Sequence, residues 1–508
     1  MTQPIWGKTD LTAQHVSAAE MAPHMLRGSL WMVAMRWSIR SVGLASTLVL
    51  VRVLSPQDFG IVAIATIVTG FFEVFAETGQ RLALIRHVAP TREHLDTAWT
   101  MQVLICTVLA MGAFLAAPLA EVYFREPHAA DIIRLLSLRL VLIGMENIGT
   151  IAFRRELDFR REFRYGLYQK IAPAVLTVIL AIVLRNFWAL AIGIVVGQFV
   201  SLAISYLMHP YRPRLSFKHV RELWGFSIWA LIGHVSGYVQ SRIDQMALGG
   251  VADSARLGQY SVAMDVATLP TAELALPASR ALFPTYARLG GAVDELKKAY
   301  LMTLGAVAAV CWSTGVGVAL VSEEFVAVVL GDQWMSVVPI VPWLALAGAV
   351  FALGSTVLTV HQATGRARLF ALQSWTRVAI MAPFVILAAR TGSLERLSQA
   401  QFLASLIVTP ILFASLRPVL NLTFLDVVRA NARSAAAAAA MCVVVLPISQ
   451  LLDFPNPMGR LVVLVAIGGV SFIVGLLGVW HLSGRPAGLE QAVVAGILQS
   501  WRKSRIDP

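Results

Sequence analysis

A chain of 508 residues that is 57% hydrophobic and only 14% charged lies far from soluble domains, which carry about 25% charged residues, and this composition excludes a water-soluble fold as the starting point. The net charge of +12 does not indicate a nucleic-acid binder. The basic residues are not gathered with aromatic partners into one domain but sit in short connections between apolar runs, as the positive-inside rule requires.

Residues 1–29 lack the apolar core of a cleavable signal peptide, so the first hydrophobic run is expected to be an uncleaved signal anchor whose N-terminus stays in the cytoplasm. From there, apolar stretches of about 20 residues, the length that crosses about 30 Å of hydrocarbon, follow one another to Leu482. Charged or Pro/Gly-marked breaks place spans at 30–51, 60–84, 98–120, 132–152, 165–184, 187–208, 224–248, 258–283, 299–321, 337–360, 368–390, 399–416, 434–452 and 460–482. The thirteenth is the weakest, because Ala435 to Ala440 add little hydrophobicity. The expected fold class is an all-α integral membrane protein of about fourteen transmembrane helices. Its expected segments are a cytoplasmic stretch 1–29, a first lobe 30–208, a basic cytoplasmic linker 209–223, a second lobe 224–416, a final pair of spans within 417–482 and a cytoplasmic tail 483–508.

Basic residues follow this alternation. Arg154, Arg155, Arg160, Arg161 and Arg164 fall in one connection, Arg212, Arg214, Lys218 and Arg221 in the next on the same side, and Lys297, Lys298, Arg502, Lys503 and Arg505 further on. The opposite connections hold scattered arginines such as Arg52, Arg125, Arg185 and Arg460, which predicts that both termini are cytoplasmic. An internal repeat at an offset of 198 relates Ser55-Pro56-Gln57-Asp58-Phe59-Gly60 and Ala65 to Asp253-Ser254-Ala255-Arg256-Leu257-Gly258 and Ala263. Six spans separate the copies, so the halves share an orientation and are related by an axis along the membrane normal.

Ionisable residues inside spans cost several kcal/mol unless they meet a partner or water. Basic Arg36, Arg40, Arg81, Arg139, Lys170, Arg242, Arg280 and Arg377 outnumber acidic Glu73, Glu77, Glu146, Asp244, Asp265 and Glu273. At 1.5 Å per residue, Arg40 lies about 15 Å into its span and Arg377 about 14 Å into its own, both near the midplane. Two readings stand side by side for the first group: structural pairs Arg40–Glu73 and Arg36–Glu77, or a hydrated cavity whose guanidinium groups match phosphate oxygens bidentately. Arg242 and Asp265 are expected to pair, while Arg377 and Lys170 have no obvious carboxylate partner in sequence. The cavity cations are therefore Arg36, Arg40, Arg139, Lys170, Arg242, Arg280 and Arg377. The carboxylates Glu73, Glu77, Asp244, Asp265 and Glu273 are candidates for coupling to a proton or sodium gradient or to the membrane potential. Pro270 and Pro277 flank Glu273 and mark the span expected to bend. Cys106, Cys311 and Cys442 lie in separate apolar runs without metal-ligand spacing, so no metal site, cofactor or disulfide is expected. No G-x-x-x-x-G-K-[ST] loop is present, which excludes ATP hydrolysis on this chain.

Val51-Arg52-Val53-Leu54-Ser55-Pro56-Gln57-Asp58-Phe59-Gly60 resembles the A-R-x-L-S-P-x-D-F-G stretch of polysaccharide exporters of the MOP superfamily, the Wzx-type flippases, with Val51 for the usual alanine and Gln57 for the common glutamate. Phe153-Arg154-Arg155-Glu156-Leu157-Asp158-Phe159-Arg160-Arg161, Asp244 with Leu257-Gly258-Gln259-Tyr260-Ser261, and Leu282-Phe283-Pro284 resemble later segments of the same family. The resemblance implies two six-helix lobes around a cavity that opens alternately to each side, with the last two spans forming a groove for a lipid tail. It implies a cargo of undecaprenyl-pyrophosphate-linked oligosaccharide for exopolysaccharide, capsule or O-antigen, and membrane lipids, a polysaccharide polymerase and a chain-length regulator as neighbours. It also implies a transporter rather than an enzyme. Two rivals are a multidrug efflux transporter of the same superfamily, which favours a carboxylate-dominated cavity, and a membrane glycosyltransferase or polymerase, which needs a sizeable loop with an acidic cluster.

Overall fold

A computed structural model describes residues 37–76, 84, 87, 90–155, 158–223, 228–281, 286, 289, 292–451 and 456–484. The described chain is helical, and no strand occurs among these residues. Its long helices are α1 (residues 37–53), α2 (Pro56–Ala76), α3 (Arg92–Phe124), α4 (Ala129–Gly144), α5 (Phe159–Leu184), α6 (Phe187–Met208), α7 (Ile228–Gly249) and α8 (Ser254–Ala281). They continue as α9 (Val293–Leu320), α10 (Val341–Ala363), α11 (Ala367–Ala389), α12 (Leu394–Ala414), α13 (Phe424–Leu451) and α14 (Pro457–Leu482). Among the described residues ten helices are long and apolar enough to cross a membrane, which makes this a multi-pass membrane protein. The helix α4 has only 16 residues, and α7 and α8 are diluted by Gln240, Arg242, Asp244, Gln245, Asp265 and Glu273.

The caps come from short polar side chains at the connections. Asn186 accepts from the Trp188 amide, Ser393 from Arg396 and Asn456 from Met458, satisfying amides that the first helical turn leaves without partners. The expected span 132–152 breaks instead at residue 145. Asn147 takes over there: its side-chain oxygen accepts from the Gly149 amide, its Nδ2 donates to the carbonyls of His209 and Tyr211, and its backbone amide donates to Ser205 Oγ. Sequence hydropathy runs through this break because Ile148 and Ile151 are apolar and buried. Conversely, α8 stays helical through Pro270 and Pro277.

The chain divides into two compact units. The first holds α1–α6, the part of α7 up to Tyr238, and Ala252–Gly258; the second holds Val239–Val251 and everything from Gln259 onward. In the first unit, Leu50, Leu54, Val62, Ala181, Ala189 and Leu190 form one apolar core, and helices approach closely through small residues. A Cβ on Gly144 would lie 2.7 Å from Cys106 Cβ, and one on Gly193 would lie 2.4 Å from Thr177 Oγ1, the small-residue packing that holds helices together in lipid. The cysteine thus serves as a small packing residue.

In the second unit Tyr300, Leu304, Val307, Cys311, Val357 and Leu412 belong to the main core. The alanine run that made the thirteenth span look weak has a packing reason. Ala437 and Ala438 are buried with Met441, Val445, Leu464 and Phe472, and a Cβ on Gly475 would touch Ala437 Cα at 3.3 Å. The sequence sacrifices hydrophobicity there for close contact between α13 and α14.

Candidate functional site

The motif at 54–60 builds a helix start. Ser55 precedes α2, Pro56 opens it with its fixed φ, and Asp58 closes a capping arrangement: the Ser55 amide and hydroxyl donate to Asp58 Oδ2 at 2.9 and 2.6 Å, and the Asp58 amide lies 3.3 Å from Ser55 Oγ. The repeat copy does the same with Asp253, whose Oδ1 accepts from the Arg256 amide at 2.8 Å. These two starts cross at their glycines. A Cβ on Gly60 would fall 1.6 Å from the Ser254 carbonyl oxygen, and one on Gly258 would fall 1.8 Å from the Pro56 carbonyl oxygen. Since 56 maps to 254 and 60 to 258 at the offset of 198, the contact between these two helix starts, both in the first unit, is reciprocal.

The intramembrane charges fall into three groups. Glu73 receives Arg139, not Arg40 as the paired one of the two readings had it: Nη1 to Oε2 is 2.6 Å and Nη2 to Oε1 is 3.0 Å, a bidentate pair with both side chains about a third exposed. The correction follows from packing, because α2 lies against α4 at this level, and depth along the membrane says nothing of which face a side chain occupies. The expected cavity cation Arg139 is therefore already paired. Arg36 and Glu77 lie outside the described residues, as does the side chain of Arg280. Replacing Arg139 with alanine leaves the Glu73 carboxylate half-buried and unpaired, and is expected to lower stability by about 1–3 kcal/mol. The double variant Glu73→Gln/Arg139→Gln recovers most of that loss in a thermal melt of the detergent-solubilised protein.

Lys170 is exposed on α5 and runs beside Gly43 of α1; among the described residues no carboxylate forms an ion pair with it. Arg40 is partly buried on α1. Arg242 donates from Nη1 to Gln245 Oε1 at 2.7 Å instead of to Asp265, whose side chain is exposed. The expected Arg242–Asp265 pair is therefore not formed; the i,i+3 amide on the same helix takes the donor instead. Glu273 is half-buried on α8.

Two buried groups in the second unit stand apart. Asp244 accepts from the Gln245 amide at 2.8 Å and from the Tyr260 hydroxyl at 2.7 Å, and the same hydroxyl sits in a short contact with Gln401 Oε1. Arg377 is 2% exposed. Its Nη2 donates to the Phe351 carbonyl at 3.3 Å and its guanidinium lies 4.0 Å over the Phe351 ring, yet among the described residues Nη1 has no acceptor. Gly354 makes room for it: a Cβ there would be 3.3 Å from Nη2. Arg377 is thus packed against α10 rather than standing on an open surface, a buried cation that forms no ion pair among the described residues, which is costly unless function requires it.

One anchor escaped sequence reading. Asp96, a turn into α3 and buried, accepts from the Tyr211 hydroxyl at 2.5 Å and from the Arg214 amide at 3.0 Å, fixing the basic linker 209–223 to α3. Its only sequence signal is a carboxylate just inside a span start. Burial and the Asp96 carboxylate together push the Tyr211 phenol well above its usual range. The Asp96→Ala variant leaves a buried hydroxyl and amide unpaired, at about 1–3 kcal/mol, and faster amide hydrogen exchange over residues 209–216 is the expected sign.

The structure is similar to the lipid II flippase MurJ in an inward closed conformation, with a TM-score of 0.71, 13% identity, and coverage of 89% of this chain and 99% of the other. It is also similar to an inward-facing multidrug resistance MATE family transporter of the MOP superfamily, with a TM-score of 0.59, 14% identity, and coverage of 74% and 94%. The lipopolysaccharide biosynthesis protein WzxC of Escherichia coli (strain K12) is 22% identical over 408 residues, 78% of this chain and 82% of its own length. The succinoglycan biosynthesis transport protein ExoT of Rhizobium meliloti (strain 1021) is 23% identical over 341 residues, 66% and 68% respectively. The fold is the one shared by these two solved structures. Residues 49–339 match the family model described as "Polysaccharide biosynthesis protein", and the chain belongs to that family.

Proposed function

We propose that this protein is a flippase that carries undecaprenyl-pyrophosphate-linked oligosaccharide repeat units across the cytoplasmic membrane by alternating access, for exopolysaccharide, capsule or O-antigen assembly. The observation that carries the reading is Arg377, a buried guanidinium with an unused donor inside a chain whose relatives are named for lipopolysaccharide biosynthesis and succinoglycan transport. A diphosphate supplies the oxygen acceptors that Nη1 lacks, and guanidinium binds phosphate bidentately. Arg40 and Lys170 of the first unit are further cations for the anionic cargo. The outward faces of α13 and α14, with Val443, Leu446, Val462, Val470, Ile473 and Val474 exposed, suit a polyprenyl tail.

Asp244 is the coupling group in this reading. The Tyr260 hydroxyl has one proton and faces two oxygen acceptors, Asp244 Oδ2 and Gln401 Oε1. A proton on Asp244 completes the chain: Asp244 donates to Tyr260, and Tyr260 donates to Gln401. Transport coupled to a proton gradient then loads and unloads Asp244. Both termini are cytoplasmic in this reading, and the polymerase and chain-length regulator act downstream. The test is translocation of a fluorescent polyprenyl-pyrophosphate glycolipid in proteoliposomes under an imposed pH gradient. Gradient-driven flipping that Asp244→Asn uncouples supports the proposal; equal translocation in protein-free vesicles refutes it.

A further inference from the structure

Three histidines and one glutamate meet where the connection after α2 approaches the linker after α6, all within the first unit. His87 Nε2 lies 2.8 Å from Glu222 Oε1, and His94 Nε2 lies 3.2 Å from Glu222 Oε2. His219 stacks on His94 with ring centroids 3.7 Å apart, and its Nδ1 lies 3.2 Å from the same Oε2. The donor atoms of His87, His94 and Glu222 lie within 4.8 Å of one another. Two ligands held at 2.0–2.1 Å by a tetrahedral zinc ion are about 3.3 Å apart, and the two histidine–carboxylate distances already stand close to that spacing.

We infer that His87, His94 and Glu222 form a zinc-binding site, which clasps the segment before α3 to the linker 209–223. Two imidazoles and a carboxylate are the donors that a borderline divalent ion such as Zn²⁺ selects. Thr91 fixes the His94 ring, with its amide donating to Nδ1 at 3.3 Å and its Oγ1 2.7 Å from the same nitrogen, so that Nε2 faces Glu222; an ion taken up at Nε2 displaces the ring proton to Nδ1, where Thr91 Oγ1 accepts it. The His94 side chain is 7% exposed while that of Glu222 is 50% exposed, which gives the ion a rigid inner ligand and a path from solvent. The fourth position goes to water or, after a small rotation, to His219. Lys218, next to His219 in sequence, is paired with Glu93 at 2.5 Å, a carboxylate outside the set. The ligands at 87, 94 and 222 are too far apart in sequence to form a recognisable metal motif, and for that reason sequence spacing predicted none. An ion here closes a loop of more than a hundred residues at three side chains, the kind of long-range clip with the most to add.

The full-length protein, purified through a non-histidine tag and stripped with chelator, is titrated with zinc chloride by calorimetry and with cobalt chloride by visible absorption. The expected result is one tight zinc site per chain, with the strong d–d bands of tetrahedral Co²⁺, whose affinity falls at least about 10-fold in His87→Ala and in Glu222→Gln. Melting of each metal-free variant checks that it folds, and if His87→Ala does not, Glu222→Gln decides alone. No zinc bound to the wild type, or wild-type affinity in the folded variants, overturns the site and leaves a hydrogen-bonded histidine cluster.

Discussion

Alanine at Gly60 is expected to abolish transport and to prevent accumulation of folded protein, and alanine at Gly258 is expected to do the same. The reason is geometric. Each new methyl would sit 1.6–1.8 Å from a backbone carbonyl oxygen of the other repeat copy, well inside any van der Waals contact. A clash with a flexible side chain is relieved by a rotamer change, but here the obstacle is the first turn of a helix, held by the Ser55–Asp58 cap at one copy and the Asp253 cap at the other. Over-packing in a close-packed interior costs about 1–3 kcal/mol when neighbours can adjust, and this site exceeds that because two helix starts must separate. Replacing Gly478, around which a Cβ would meet nothing within 4 Å, gives the matched control with near wild-type yield. Fluorescence-detected size exclusion of tagged variants reads both.

The second large effect is a split between stability and activity at Arg377. Methionine there removes a buried, unneutralised charge while keeping an unbranched side chain against Phe351, so the melting temperature of Arg377→Met is expected to hold or rise, a gain of up to about 2 kcal/mol. Transport is expected to fall by about 10- to 100-fold, the worth of a charge-assisted hydrogen bond to the cargo. Lysine retains charge but not the planar fork, and is expected to fall between the two. A purely structural arginine gives the opposite pattern, with stability and transport lost together.

How much of this was legible in the sequence differs between fold and site. Most helix positions were, because twenty-residue apolar runs leave little choice, the break at residue 145 inside the span expected at 132–152 being the exception, and the repeat at offset 198 was, because Gly60 and Gly258 are both held in place by backbone contact. Partner choice was not. Arg40 and Glu73 share a depth, but depth is one coordinate; the face of α2 that carries Glu73 meets α4, and Arg139 answers it. Arg242 shows the same limit, since a glutamine three residues along its own helix takes the donor that seemed reserved for Asp265. The burial of Arg377 depends on Gly354 and Phe351 of a neighbouring helix, which no periodicity in α11 could reveal. Asp96 and the histidines at 87, 94 and 219 fall at span borders, where polar residues are ordinary and pattern alone carries no information.

The decisive measurement is mass spectrometry of lipid-linked oligosaccharides in cells depleted of this protein, complemented by wild type or by Arg377→Met. Build-up of one completed repeat unit on the cytoplasmic side, cured by wild type and not by the folded variant, is the predicted result. Normal polymer with no such intermediate in depleted cells would contradict a lipid-linked cargo.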